Sequence, residues 1–115
     1  MAGRKLVYFV SLSSNVPYVL KEAMEKAEEK NEVAIFFDLD GALALDQRYL
    51  NQMNRTHGTN LESLLNEALA AGIKLYGCQL NVLIADGLVL VNGVEAAGVA
   101  TFLDTAYQAD HVLSY

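Results

Sequence analysis

The sequence predicts an α/β protein built on an open, largely parallel sheet of five strands. Three observations carry this prediction. Short apolar runs rich in β-branched and aromatic residues recur along the chain, and they are too brief for typical helices. Between them lie stretches whose apolar residues repeat at helical spacing. The two kinds alternate, which implies strands laid side by side with helical crossovers on both faces of the sheet.

Lys5–Leu12 (KLVYFVSL) is apolar at nearly every position, as a strand buried on both faces is. Ser13, Ser14 and Asn15 follow as turn and capping residues, and Pro17 suits a first helical turn. Val16, Val19, Leu20, Ala23, Met24 and Ala27 then form one face of an amphipathic helix. Lys21, Glu22, Glu25, Lys26, Glu28 and Glu29 form a solvated face opposite. Glu32–Leu39 is the second strand, closing a strand–helix–strand unit with a right-handed crossover. It runs into Asp38-Leu39-Asp40-Gly41 and a less regular region, 42–58, that holds Arg48, Arg55 and His57.

Thr59-Asn60-Leu61-Glu62 has the form of a capping box. The helix it opens carries Leu61, Leu64, Leu65, Ala68 and Leu69 on one face and stops at Gly72. Ile73–Tyr76 is a short buried strand leading through Gly77 to Cys78. The run Gln79–Ala85 then reads as a short helix, Leu88–Val91 as a fourth strand and Asn92-Gly93 as a turn. Val94–Ala109 is the last long helix and His111–Tyr115 the fifth strand. No internal repeat or linker interrupts the pattern, and residues 1–115 fit one domain.

Composition narrows the function. Hydrophobic residues make up 53% of the chain and charged residues 19%, with mean hydropathy of +0.21, so part of the apolar surface is expected in a subunit interface. A homo-oligomer, dimer or trimer, is the expected state. The net charge of −6 argues against a nucleic-acid partner. All eight Lys and Arg fall at or before Lys74, whereas residues 75–115 hold four acids. No basic segment precedes an apolar one near Met1, and no apolar run approaches about eighteen residues. Neither a signal peptide nor a membrane span is expected, and the default compartment is the cytoplasm. Neither a resident cofactor nor a metal site is read in the sequence.

A single cysteine excludes an intrachain disulfide and a CxxC site. If the run after Cys78 is helical, the thiol stands at a helix N-terminus, where the backbone dipole favours a thiolate. On this local pattern alone, a small buried hydrophobe is the stronger reading of Cys78. Open parallel sheets bind ligands beyond the carboxyl ends of their strands. That rule gathers Ser13, Ser14, Asn15, Asp38, Asp40, Gly41, Gly77, Gln79, Gly93 and Glu95 around Cys78 as candidate binding residues, although each also suits an ordinary cap or turn.

The first strand with its polar turn, AIFFDLDGALAL, the helix ending in AGIKLYGCQ and the closing NGVEAAGVATFL together resemble the DsrE/DsrF-like family of small sulfur-handling proteins over nearly the full chain. GIKLYGCQ is the most specific segment, because it places a cysteine directly after the third strand. The resemblance implies a three-layer α/β/α fold with a five-stranded sheet, assembly into homo- or hetero-oligomers, and a role for Cys78 as a persulfide acceptor between sulfur donor and acceptor proteins. It moves Cys78 from core filler to working residue. Leu80-Asn81-Val82 departs from the Met-Ser-Met that many relatives carry after Cys-Gln.

Two rival readings stand beside it. FFDLDG, residues 36–41, resembles the first motif of haloacid-dehalogenase-type phosphatases, with Asp38 as nucleophile and Asp40 as acid/base beside Mg²⁺. That family places the motif on its first strand and needs a downstream acidic pair, which is missing here. The other rival is a non-catalytic binding or assembly subunit with an inert cysteine.

Overall fold

The computed structural model describes residues 3–38, 61–78, 93–97 and 99–115, with the backbone alone for Ser13, Leu61, Glu62, Cys78, Ala96, Ala97 and Val99. In chain order these form β1 (Lys5–Val10), one 3-10 turn (Ser13–Asn15), α1 (Val16–Glu28), β2 (Glu32–Phe37), α2 (Leu61–Ala70), β3 (Lys74–Cys78), β4 (Glu95–Ala97), α3 (Val99–Gln108) and β5 (His111–Ser114). The strands run in the order β4-β3-β2-β1-β5, and each neighbouring pair is parallel. The fold is therefore α/β on a parallel sheet.

Strand register sorts the apolar runs onto two faces. Leu6, Tyr8 and Val10 of β1 pair with Val33, Ile35 and Phe37 of β2, and all six join one cluster with Leu75 of β3. Against that face pack Val16, Val19, Leu20 and Ala23 of α1 and Leu65 and Ala68 of α2. The opposite parity puts Phe9, Phe36 and Tyr76 at neighbouring paired positions across three strands. Phe36 and Tyr76 stack with ring centroids 4.7 Å apart, and Phe102 of α3 meets Phe36 edge-on at 5.0 Å and Phe9 at 5.2 Å. Such aromatic pairs each add about 0.5–1.5 kcal/mol beyond their buried area.

The carboxyl-terminal third departs from the periodicity. Residues 95–97, expected inside a helix over Val94–Ala109, instead form β4 beside β3, and α3 begins at Val99. The cause is tertiary: Glu95, Ala96 and Ala97 pair with Tyr76, Gly77 and Cys78. A ladder partner outweighs the weak helix preference of a three-residue stretch. β3 also reaches further than expected and takes in Gly77 and Cys78, whereas β1 and β2 end two residues early. The expected helix Gln79–Ala85, the expected strand Leu88–Val91, the 42–58 region and the Thr59-Asn60 end of the capping box lie outside the described residues. Among the described residues no helix is long and apolar enough to cross a membrane.

The two crossover helices stop in the same way. At the end of α2, Gly72 has φ +85°, its N–H donates to Leu69 O, and the Ile73 N–H donates to Ala68 O. This is a Schellman turn, with glycine in its left-handed position. At the end of α1 the same pair of bonds runs from Lys30 N–H to Ala27 O and from Asn31 N–H to Lys26 O, with Lys30 at φ +66°. Asn31 reinforces the turn by donating from Nδ2 to Lys26 O and accepting the Arg4 N–H, both at 2.9 Å. A lysine held at positive φ costs about 1 kcal/mol. Lys30→Gly is therefore expected to raise stability by about 0.5 kcal/mol once glycine's greater unfolded-state entropy is offset. A urea midpoint that falls on this substitution would contradict the assignment.

Glu22 is drawn off the solvated face assigned to it from helical spacing. Its carboxylate is half-buried, accepting the Tyr18 hydroxyl at 3.0 Å and the Tyr115 hydroxyl at 3.1 Å. The Tyr115 ring lies between Tyr8 and Tyr18, at 6.0 and 5.6 Å, so these contacts tie α1 to the end of β5. Burial works to raise the Glu22 pKa, but the surrounding phenols of Tyr8, Tyr18 and Tyr115 and the Lys26 charge outweigh it and hold the carboxyl below its ordinary range. A carboxylate whose folded pKa lies below its unfolded one contributes stability above the unfolded value, and this is lost as pH falls through the folded value. Stability of the native chain should thus fall more steeply than that of Glu22→Gln as pH drops below about 4.5. Equal slopes in chemical denaturation across that window would count against the clamp.

Candidate functional site

The carboxyl ends of β1, β2 and β3 are level with one another. Val10 pairs with Phe37, and Phe37 with Gly77. One step beyond these positions come Asp38, whose N–H continues the ladder to Val10 O at 2.9 Å, and Cys78, the last residue of β3. Neighbouring strands are about 4.8 Å apart, so the backbones of Asp38 and Cys78 leave the sheet side by side. The 3-10 turn at Ser13–Asn15 leaves β1 at the same end and opens α1. Asn15 occupies the N-cap position in helical dihedrals and makes no side-chain cap, with Pro17 in the first turn. Ser14 is exposed and Asn15 half-buried.

Gly77 is buried between Phe37 of β2 and Ala96 of β4. Its place is inside the ladder, so its first duty is close strand packing. Asp40, Gly41 and Gln79 lie outside the described residues. Gly93 and Glu95 do not join the carboxyl end. Glu95 pairs with Tyr76, two residues before Cys78, and Gly93 lies lower still, in a groove it shares with Leu69, Ile73 and Lys74. Ala97 is the residue that β4 sets beside Cys78.

Among the described residues most cations lie away from this end, with Lys21 midway along α1. Lys5 and Lys74 open β1 and β3, Arg4 precedes β1, and Lys26 and Lys30 lie at the end of α1, which returns the chain to the amino ends of the strands. Among the described residues no three His, Cys, Asp or Glu side chains are grouped to hold a metal ion. What this end offers chemically is a thiol-bearing residue at a strand terminus with a half-buried carboxyl-bearing residue next to it. Sequence reasoning missed a different cluster, the phenols around Glu22; Tyr8 and Tyr115 were read only as strand residues, and nothing in the local pattern paired them with a glutamate on α1.

Comparison with known proteins adds three findings. A family model described as DsrE/DsrF/DrsH-like matches residues 19–113. No curated protein matches significantly. Nine chains of solved structures match, among them the YchN protein from E. coli, with a TM-score of 0.77 at 17% identity over 98% of this chain and 99% of that one. At that identity the likeness concerns the fold.

Gly93 shows how a residue proposed for binding can be required by the backbone. Its φ is +95°, and a Cβ at that position would come within 2.9 Å of Leu69 Cδ1. Both constraints act on the turn that delivers the chain into β4. Gly93→Ala is expected to cost about 1–2 kcal/mol, through the strained φ and the push on Leu69. The loss would register as a lower urea midpoint; an unchanged midpoint would return Gly93 to the list of residues kept for a ligand.

Proposed function

The chain belongs to the DsrE/DsrF/DrsH-like family, and on that premise we propose that it acts in sulfur relay, carrying a persulfide on Cys78. The observation that supports this reading most is the position of the lone cysteine at the end of β3, within the matched residues and at the carboxyl edge of a parallel sheet where such folds keep their sites. The full reading is a single three-layer α/β/α domain over residues 1–115 with a five-stranded sheet, working as a homo-oligomer or with related subunits.

In the proposed step the Cys78 thiolate attacks the outer sulfur of a donor persulfide. A bond forms between Cys78 Sγ and that sulfur, the donor's S–S bond breaks, and the donor leaves as its own thiolate. The proton on the transferred sulfur stays with it or passes to water, and no net oxidation occurs. Delivery to an acceptor thiolate is the same exchange in reverse. The lack of a second cysteine suits a carrier, because a neighbouring thiol would discharge the persulfide as a disulfide.

A carboxylate at the adjacent strand end, Asp38, would disfavour a thiolate, and among the described residues Arg4, Lys5, Lys26, Lys30 and Lys74 stand toward the far end of the sheet while Lys21 lies midway along α1. Any lowering of the thiol pKa therefore draws on backbone dipoles beyond β3 or on Arg48, Arg55 and His57. Asp38 would then tune the carrier, holding the thiol less ionised while it waits.

Exposure of the purified protein to a low-molecular-weight persulfide should add one sulfur atom to the intact mass, and Cys78→Ser should abolish the gain. Asp38→Asn should speed alkylation of the thiol by iodoacetamide near neutral pH by about threefold or more. A native chain that takes up no sulfur while its thiol alkylates freely would leave the fold intact and remove the carrier role.

A further inference from the structure

A second site lies away from Cys78, in a groove of about 620 Å³ between α1 and the edge strand β5. Its size is that of a small-molecule site. Tyr8 lines it and is completely buried, yet its hydroxyl has no hydrogen-bond partner among the described residues. Glu22 lines the same end, held by Tyr18 and Tyr115 as described. Burial first, and then the Glu22 carboxylate as hydrogen-bond acceptor and as charge, push the Tyr8 pKa up, although the two groups stand at the margin of bonding distance. A carboxylate framed by three phenols at the end of a groove is a place for a group with several N–H donors.

The other end of the groove has the opposite charge. Arg4 Nη1 lies 3.2 Å from His111 Nε2. A guanidinium is always protonated and has five N–H donors, so His111 accepts here and, among the described residues, most of the Arg4 fork remains unspent. Lys26 lies 3.6 Å from Glu29 and its charge also reaches Glu22, so one lysine is set against two acids on α1. What remains is a negative end at Glu22 and a positive end at Arg4, joined along the floor by Leu6 and Leu113.

Length selects among zwitterions. Tyr8 and Arg4 are four residues apart along β1, about 13 Å at strand rise, and inward-reaching side chains shorten the gap to be bridged. A single amino acid is too short. An extended chain of two to four residues, at about 3.3 Å per residue, spans it.

We propose that this groove binds a short peptide with free ends, its α-ammonium set between the Glu22 carboxylate and the Tyr8 hydroxyl and its α-carboxylate held by the Arg4 guanidinium. The ammonium donates to both oxygens and lies against the half-buried Tyr115 ring. The guanidinium fork matches a carboxylate in two parallel bonds. The Leu6 and Leu113 floor takes small apolar side chains, which makes trialanine a fitting probe.

Titration of trialanine into the whole chain, followed by calorimetry and by backbone amide shifts, tests the assignment. Saturable binding is expected, with shifts centred on Tyr8 and Leu113. N-acetyl-trialanine and trialanine amide should each bind at least about tenfold more weakly, as should Glu22→Gln and Arg4→Gln with the free peptide. The blocked peptides are compared on the native chain, so the test stands even if a variant fails to fold. No saturation by about 10 mM, or equal affinity for free and blocked peptides, overturns the proposal.

Discussion

The in-register parallel pairing of β1 with β2 is the constraint on which the rest depends. Both strands are apolar at consecutive positions, so neither face can be left to water, and the pairing from Lys5 with Glu32 to Val10 with Phe37 decides which side chain faces which helix. A slip of one residue would exchange the two faces of the strand that slips. If β1 slipped, Leu6, Tyr8 and Val10 would turn away from α1 and α2, and Phe9 would leave the aromatic line of Phe36, Tyr76 and Phe102. The core is thus specified as two surfaces at once, with α1 and α2 side chains clustered on one and Phe102 on the other.

From that arrangement follows the polarity of the molecule. Parallel strands send every crossover back to the same end, so one end collects strand starts and helix stops and the other collects strand stops and helix starts. The described lysines that open strands or close α1 gather at the first; Asp38 and Cys78 stand at the second.

The central strands, the first two helices and the parallel arrangement were legible in the sequence because each depends on local signals that tertiary structure reinforces. The run KLVYFV is buried on both faces, VPYVLKEAMEKAE has its stripe, and Gly72 marks a helix end. Legibility failed where a partner distant in sequence decides. Glu95-Ala96-Ala97 has helical spacing but takes the ladder that Tyr76, Gly77 and Cys78 offer. Glu22 looked like one of several exposed charges, and only the meeting of β1, β5 and α1 shows it to be the acceptor for two phenols. At the candidate site Cys78 was legible as the only thiol and as a family position. The displacement of Gly93 and Glu95 from it was not, because where β4 begins cannot be read from turn residues alone.

The matched endings of α1 and α2 have a consequence for how the fold is written. No stretch of the sequence repeats another, yet the hydrogen bonds closing the two helices are the same pair, and both release the chain at the start of the next strand. The repeating unit of this protein is kept in its backbone and not in its alphabet. One copy uses glycine, the residue made for the bend, and the other forces a lysine through it with Asn31 as a brace. The same corner can therefore be turned by two unlike stretches of sequence, each in its own way.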